Sequence, residues 1–295
     1  EKECVLRNYS KAGMRTRINR LRLFIDYLDG CGLTSLSELT AQELSNYTVT
    51  LIGYNSKSVA AMLTVLRTFL KFLYLKGYHC KDLSCDVPSV KYSYYPSIPS
   101  AWKNDDVKRM LDCIDRGSPT GKRDYAILLT VARLGMRVKD LKEIKLCNLK
   151  WNENKIKMVQ HKTKQAVSYP LLDDIGWAII DYLKNGRPQT TSPYLFVRHN
   201  APFEAFGTHA NLHNIITKYT RLAGIELPRG SKRGMHSLRH TLASVLLEQH
   251  TPLPVISEIL GHMSVLATSV YLKIDLEGLR KCALDPDEVF NYADN

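Results

Sequence analysis

The sequence lacks a long uninterrupted apolar run, which argues against a membrane-spanning segment. Its longest apolar stretches, such as residues 125–132, fall well short of the roughly 20 residues that cross a bilayer. No stretch resembles a signal peptide. We therefore expect a protein that has no membrane partner.

Paired cysteines are lacking as well. The seven cysteines are scattered along the chain, and no two of them form a C-x-x-C pair. An odd number of cysteines without a secretion signal favours reduced thiols over disulfide bonds. Cys80 and Cys85 could be half of a zinc site, but no second pair of ligands follows at zinc-finger spacing. We expect a cytoplasmic protein with no metal ion at these thiols.

Acidic residues are in the minority. The chain has 41 lysines and arginines against 29 aspartates and glutamates, which gives a formal net charge of +12. Nucleic acid is the commonest partner of so basic a protein. A basic protein without such a partner, or one attracted to acidic membranes, is the alternative, because net charge indicates partners and not fold.

The first part of the chain is predicted to be a small bundle of helices, without a strand pattern. Residues 10–30 place apolar side chains at helical spacing, and Arg15 and Arg22 lie off that apolar stripe. Thr40 and Glu43 have the spacing of a capping box, which predicts the start of a second helix.

A third helix is predicted to run from a cap at Ser56 to a stop at Gly77. Residues 86–100 then hold three prolines and three tyrosines without periodicity, which predicts an extended linker. The length of 295 residues is sufficient for two domains. The predicted division is a helical domain at 1–87, a linker at 88–100, a second domain at 101–272 and a tail at 273–295.

The second domain is predicted to be mainly helical with one small sheet. Residues 151–160 and 166–171 alternate apolar and polar side chains around the polar segment 161–165, which is typical of a β-hairpin. Helical patterns begin at Asn104 and cover 125–134, 173–182, 208–224, 237–249 and 253–260. The predicted fold class is mainly α with a small antiparallel β-sheet.

A group of chemically competent residues lies at the start of the helix predicted near 237–249. His236 and Arg239 are three residues apart, so that their side chains share one face near the helix N-terminus. A helix N-terminus favours an anion, and the fork of an arginine can bind two phosphate oxygens at once. This segment therefore predicts a phosphate-binding site.

Residues of complementary chemistry occur elsewhere in the predicted second domain. Arg137 opens another predicted helix, Lys162 lies in the hairpin, and Leu-Gly-His262 is followed nine residues later by Tyr271. Arginines can stabilise the charge of a transferring phosphate, imidazoles can move protons and a phenol can attack phosphorus. Such a set can transfer a phosphoryl group without a metal ion.

In this order the residues resemble the marks of the tyrosine recombinase family, which includes phage-type integrases and mobile-element transposases. These marks are an arginine, a hairpin lysine, a His-x-x-Arg box, a Leu-Gly-His and a terminal tyrosine. Here they are Arg137, Lys162, His236, Arg239, His262 and Tyr271. The 23 residues from Arg239 to His262 also look like the family's spacing. The resemblance covers residues 100–271, and the first domain resembles the family's core-binding domain by its helix pattern alone.

The resemblance implies a mechanism. Tyr271 is expected to attack the scissile phosphate, forming a 3′-phosphotyrosyl bond and freeing a 5′-hydroxyl. Arg137 and Arg239 would hold the non-bridging oxygens, His262 would add a hydrogen bond, and His236 is the expected general base for the tyrosine. No cofactor is expected, because the covalent bond conserves the energy of the phosphodiester.

Two assignments have alternatives. Lys162 is the expected acid for the leaving oxygen, because its interval to the end of the hairpin matches the family, and Lys164 competes with it for this role. His240 follows His236 by four residues, a spacing that also suits a zinc site, but Arg239 would repel a cation. We expect His240 to be structural or to support the site.

Several further residues have expected roles. Asp140 lies one turn after Arg137 and is expected to orient it rather than to react. The residues expected to contact DNA are Arg15, Arg22, Arg229, Lys232 and Arg233. For the last three, which precede His236, a solvated loop is the alternative to a contact with the DNA backbone.

The resemblance also implies partners and a role. The two domains would form a C-shaped clamp on double-stranded DNA recombination sites, and four protomers would assemble there as a homo-tetramer. The tail would dock on a neighbouring protomer or on its own domain, and a directionality factor is a possible further partner. Integration or excision of a mobile element is favoured because the chain is strongly basic. The alternatives are a Xer-like chromosome resolvase and a type IB topoisomerase.

Overall fold

The computed structural model describes residues 2–90, 100–207, 210, 212–228, 231–262 and 264–273. It divides into two compact units, residues 1–95 and 96–295. The division falls within the segment for which the sequence predicts a linker.

The first unit is helical in the residues described, which confirms the predicted bundle. Its helices are α1 (Lys2–Leu6), α2 (Lys11–Gly30), α3 (Ala41–Thr50) and α4 (Ser56–Leu75), with 3₁₀ turns at Leu36–Glu38 and Leu83–Cys85. The core lies where α2 packs against α3 and α4. It is made by the apolar side chains of Phe24, Leu28, Leu44, Tyr47, Leu63, Leu66, Leu70 and Leu73.

Capping explains where two of these helices begin. Thr40 caps α3 and forms the predicted reciprocal capping box with Glu43. The cap predicted at Ser56 is wrong, because Asn55 is the N-cap of α4 and its side chain accepts a hydrogen bond from the amide of Lys57. Both side chains are good caps, and the backbone is still extended at Asn55, so that the asparagine precedes the first helical residue.

Helix α4 is long and apolar enough that, by length and composition alone, it could cross a membrane. This property was not anticipated from the sequence. The same length and composition occur in helices that form the core of a globular domain, and the buried side chains of α4 pack into the core of the first unit. The absence of a membrane partner stays a prediction.

The second unit has seven helices and one small sheet among its described residues. The helices are α5 (Asn104–Asp112), α6 (Pro119–Leu134), α7 (Val138–Lys142), α8 (Asp173–Asn185), α9 (His213–Leu222), α10 (Met235–Glu248) and α11 (Leu253–Ile259). The strands are β1 (Leu149–Lys150), β2 (Lys155–Val159) and β3 (Ala166–Pro170). They form an antiparallel sheet in the order β1-β2-β3, which confirms the predicted hairpin.

Three element boundaries in this unit differ from the prediction. The strand expected from residue 151 begins at Lys155, because residues 151–153 form a 3₁₀ turn that Asn154 ends in the left-handed conformation. Helix α6 begins at Pro119, since Ser118 supplies a cap and proline suits the first helical position. Helix α9 begins only at His213, because Leu212 has a φ of 50° and cannot continue a helix toward residue 208.

The core of the second unit surrounds α6, which contacts both α8 and α10. Ile127, Leu128 and Val131 of α6 are fully buried. A smaller apolar cluster lies beside this core, where α10 and α11 enclose the segment that carries Tyr271. Its buried members are Ala243, Leu247, Ile256, Leu260 and Tyr271.

Candidate active site

Arg239 is the most deeply buried cation of the site, with 1% of its surface exposed. Its guanidinium donates hydrogen bonds to the carbonyl oxygens of Gly135 and Leu260, each at 2.6 Å. These carbonyls lie at the C-terminal ends of α6 and α11, where backbone oxygens have no partner within the helix. Burial and the nearby charge of Arg137 lower the pKa of Arg239 to about 10, so that it remains protonated at neutral pH.

The turn between α6 and α7 places Arg137 beside this group. Gly135 ends α6 with a φ of 59°, and a Cβ atom there would lie 2.9 Å from a methyl carbon of Leu260. Arg137 then caps α7, and its Nη2 atom donates a hydrogen bond to the carbonyl oxygen of Gly261 at 3.3 Å. The two arginines thus bind successive carbonyls of the Leu-Gly-His segment. Their guanidinium groups are held side by side.

Gln160 is a member of the site that the sequence reasoning missed. Its Oε1 atom accepts a hydrogen bond from Arg137 at 3.1 Å, and its Nε2 atom donates one to the hydroxyl of Tyr169 at 2.9 Å. A signal for it existed, because Gln160 continues the alternation of Ile156 and Met158, which face the core. A fully buried glutamine on the apolar face of a strand must find hydrogen-bond partners.

Asp140 lies near Arg137, as the sequence predicts, but its closest contact is elsewhere. One carboxylate oxygen accepts a hydrogen bond from the backbone N–H of His161 at 2.7 Å. The other lies 3.9 Å from the Nη1 atom of Arg137. Asp140 therefore fixes the start of the hairpin turn, while Gln160 makes the shorter contact with the arginine.

The hairpin turn carries both lysines that compete for the role of acid. Lys162 is exposed, and Lys164 is exposed with a φ of 58°. Burial and the charges of Arg239 and Arg137 lower the pKa of His262, and Lys162 also contributes to this shift. No such influence of Lys164 on the site's histidines is found in the described part of the chain. The assignment of the acid to Lys162 rather than Lys164 stays a prediction.

His262 follows the Leu-Gly turn and is fixed by Thr268, whose hydroxyl lies 2.8 Å from Nδ1 of the ring. Burial, followed by the charges of Arg239 and Arg137, lowers the pKa of His262 to about 4. The ring is therefore neutral at neutral pH. In the tautomer whose Nδ1 accepts from the threonine hydroxyl, the ring proton lies on Nε2, from which it can be donated to an anion.

Tyr271 is 2% exposed and lies in the apolar cluster between α10 and α11. Its hydroxyl is 2.9 Å from Nδ1 of His240. Burial raises the pKa of the phenol, and the positive charges of Arg239 and Arg137 partly oppose that rise. His236, the expected general base, is in contact with the ring of His240. Its imidazole packs edge to face on that of His240, with ring centroids 4.6 Å apart.

The residues expected to bind DNA have different surroundings. Arg15 and Arg22 are exposed on α2, and Lys232 and Arg233 are exposed just before α10. The loop around Lys232 is fixed, because its carbonyl oxygen accepts hydrogen bonds from the side chains of Trp102 and Ser237. Arg229 and the predicted tail beyond residue 273 lie outside the described residues. The structure tests none of these roles.

The alternative of a zinc site at His236 and His240 finds no support in the described part of the chain. Among those residues, no group of three or more His, Cys, Asp and Glu side chains is arranged to hold a metal ion. Instead, the ring of His240 contacts the phenol of Tyr271.

A buried tyrosine beside two paired arginines, carried by a mainly helical unit with one small antiparallel sheet, defines the class of tyrosine recombinases. The model of the phage integrase family matches residues 102–277, and that of the phage integrase N-terminal SAM-like domain matches residues 5–77. The chain therefore belongs to the phage integrase family, as the motifs of the second domain predict.

Sequence comparison shows relatives of two kinds. The chain is 35% identical to integrase/recombinase y4rA of Sinorhizobium fredii over 90% of its own length and 64% of the relative's. It is 36% identical to integrase/recombinase y4rF of the same organism over 74% and 51% of the two lengths. The chain thus spans between half and two thirds of these relatives. It is 26% identical to tyrosine recombinase XerD of Listeria monocytogenes over 86% of this chain and 85% of the relative.

Solved structures confirm the predicted fold class. The chain is similar to the XerH site-specific recombinase bound to a palindromic difH substrate, with a TM-score of 0.76 at 19% identity. That match covers 94% of this chain and 80% of the other. The lambda integrase dimer bound to a core site has a TM-score of 0.71 at 15% identity, with 92% and 91% of the two chains covered.

Proposed function

We propose that this chain cuts and rejoins double-stranded DNA at specific sites through a 3′-phosphotyrosyl intermediate at Tyr271. The observation that carries the proposal is the pairing of Arg137 and Arg239 on the carbonyls of Gly261 and Leu260. The charges of both arginines act on the phenol of Tyr271. A phosphate bound by the arginines would therefore lie near the nucleophile.

The arginines supply the electrostatic part of the reaction. Each guanidinium has five N–H donors, and Arg239 uses only part of this set for its two backbone carbonyls. The remaining donors can bind the non-bridging oxygens of the phosphate, on which charge develops in the transition state. Because the protein already fixes both groups, little reorganisation is needed when the reaction occurs.

The other side chains move protons. The phenol oxygen of Tyr271 forms a bond to phosphorus while the bond from phosphorus to the 5′-oxygen breaks. The leaving oxygen takes a proton from Lys162, His262 donates a hydrogen bond to the phosphate, and the phenol proton passes to an imidazole, for which His236 is the family's expectation. Rejoining runs through the same steps in reverse, so that no nucleotide cofactor is consumed.

The biological role that we propose is the integration or excision of a mobile element. The integrase/recombinase relatives are 35% and 36% identical to this chain, whereas the XerD relative is 26% identical. This difference favours an element-encoded recombinase over a Xer-like chromosome resolvase. Membership in the phage integrase family favours recombination over the relaxation of supercoils by a type IB topoisomerase.

The proposed partners are recombination sites on DNA and three further copies of the chain. One related structure is a lambda integrase tetramer bound to a Holliday junction. Exchange between two sites requires four cuts, and we propose that a homo-tetramer on DNA makes them, in the cytoplasm, with a directionality factor as a further partner.

Covalent capture tests the proposed function. The protein is incubated in EDTA with fragmented DNA of its source organism and denatured in detergent, and DNA bound to the protein is sequenced. We expect adducts at a small set of sites, with the 3′ end of a strand joined to Tyr271. Tyr271→Phe is the matched control and should bind the same DNA without forming adducts. Adducts that persist in this variant, or that require magnesium, would contradict the proposal.

A further inference from the structure

We propose that His240, rather than His236, accepts the phenol proton of Tyr271 when the phosphotyrosyl bond forms. The inference rests on the proposed function of the site and names the residue that completes its chemistry. Its basis is a direct contact, because Nδ1 of His240 lies 2.9 Å from the phenol oxygen, which is the atom that attacks phosphorus.

The contact is fixed from both sides. His240 lies on α10, one residue after the buried Arg239, and Tyr271 is held in the apolar cluster by side chains of α10 and α11. The other two histidines of the site have different partners. His262 is bound to Thr268, and His236 packs on the ring of His240. Among the described histidines, only His240 is hydrogen-bonded to the phenol.

The direction of the hydrogen bond follows from the charges around it. Burial raises the pKa of Tyr271, so that the phenol keeps its proton at neutral pH. Burial, His236, Lys232 and Arg239 lower the pKa of His240 to about 4, so that its ring is neutral. A neutral imidazole with a free lone pair on Nδ1 therefore accepts a hydrogen bond from the phenol O–H.

DNA would strengthen this imidazole as a base. Two of the positive groups that act on His240 are Lys232 and Arg239, which we expect to bind the DNA backbone and the scissile phosphate. A phosphate placed between these groups offsets their charge, and a nearby negative charge favours the protonated form of an imidazole. His240 thus becomes a better proton acceptor when the substrate is bound.

The proton balance of the step is complete. The phenol oxygen bonds to phosphorus and its proton moves to Nδ1 of His240, while the 5′-oxygen leaves with a proton from Lys162. In rejoining, the 5′-hydroxyl returns its proton to the lysine, and His240 returns the other proton to the phenol. His236, exposed at the N-terminus of α10, is then free to donate a hydrogen bond to the phosphate.

The test uses a phenol that needs less help to lose its proton. Tyr271 is replaced by a fluorinated tyrosine, whose phenol is more acidic, in wild-type, His240→Asn and His236→Asn backgrounds. Asparagine can keep a hydrogen bond at the position of Nδ1 but cannot take the proton. Adduct formation is measured on a nicked DNA substrate that carries a site found by covalent capture.

With ordinary tyrosine, we expect His240→Asn to form adducts roughly 10²-fold or more slowly, which is the usual value of one positioned base. The fluorinated tyrosine should restore most of this loss. His236→Asn should also be slower but should show no such recovery. Recovery in His236→Asn alone would overturn the inference and make His236 the base, and recovery in neither variant would reduce His240 to a packing role.

Two controls keep the outcomes separate. His240→Gln provides a second variant, and DNA binding and thermal unfolding of both variants should match wild type. A wild-type protein that forms no Tyr271 adduct would contradict the proposed function itself. Adducts that depend on Tyr271 but form at the wild-type rate in folded His240→Asn and His240→Gln would contradict only the role of His240.

Discussion

Gly261 and Gln160 are packed so closely that a Cβ atom added at Gly261 would lie 2.3 Å from Nε2 of Gln160. Gly261 also has a φ of 60°, which glycine adopts at little cost. The glycine of the Leu-Gly-His motif is therefore required by its neighbour and by its backbone. Both residues of the pair also hold Arg137, through the carbonyl of Gly261 and the side chain of Gln160.

Gly261→Ala is expected to slow adduct formation by about 10²-fold, because the new methyl group displaces Gln160 and with it Arg137, and removing one fixed donor of this kind costs about that much. DNA affinity should change little. Gly224→Ala is the matched control, since Gly224 has a similar φ of 61° with nothing within 4 Å of its added Cβ. The control should lose stability without losing activity. Equal loss of adduct formation in both variants would point to backbone strain alone.

Gln160→Leu should impair both the site and the fold. The variant removes one of the two hydrogen bonds of Arg137 and leaves the buried hydroxyl of Tyr169 without its partner. An unsatisfied buried polar group costs about 1–3 kcal/mol of unfolding free energy. We expect slower adduct formation and a lower denaturant midpoint. Tyr169→Phe removes only the bond to the hydroxyl, at 2.9 Å in the native chain. It should keep near-native cleavage, and a similar defect in both variants would disprove a role of Gln160 at Arg137.

Lys162→Ala should slow cleavage by roughly 10² to 10⁴, the value of one positioned proton donor. A substrate with sulfur in place of the bridging 5′-oxygen has a leaving group that needs no proton. On that substrate Lys162→Ala should regain most of its rate, whereas Arg239→Ala should not, because it lacks the phosphate-binding group. If the sulfur substrate restores the rate of Lys164→Ala instead, the acid is Lys164. If it restores the rate of neither variant, no lysine of this turn is the general acid.

DNA binding should weaken steeply with salt. About six phosphate contacts predict a loss of roughly 10³-fold in affinity between 50 and 200 mM salt. Charge reversal at Arg15 and Arg22, both exposed on α2, should weaken binding and flatten this dependence without moving the cleavage position. Lys76→Glu, at an exposed lysine of the same unit, is the control for net charge in each single reversal. A DNA affinity of the wild-type protein that does not change with salt would contradict the proposed phosphate contacts.

The residues with a distinctive chemistry could be predicted from the sequence, but only some of the residues that contact them could be. Arg239 and Tyr271 stand in motifs of fixed spacing, whereas the contact of Tyr271 with His240 joins an α-helix to a short 3₁₀ segment without periodicity. Strand β1 has only two residues, too few for an alternating pattern. The predicted start of a helix was wrong where the backbone conformation determined it, as at Leu212. A leucine side chain gives no indication of a positive φ.

The two carbonyls that hold Arg239 belong to residues 135 and 260, which are 125 positions apart in the chain. During synthesis Gly135 leaves the ribosome long before Leu260. Until Leu260 has emerged and α11 has folded, the guanidinium has only one of its two backbone partners, and Tyr271 follows later still. A nascent or truncated chain therefore has no assembled site. Under the proposed function, strand breaks can be made only by a chain that already contains the groups needed to reseal them.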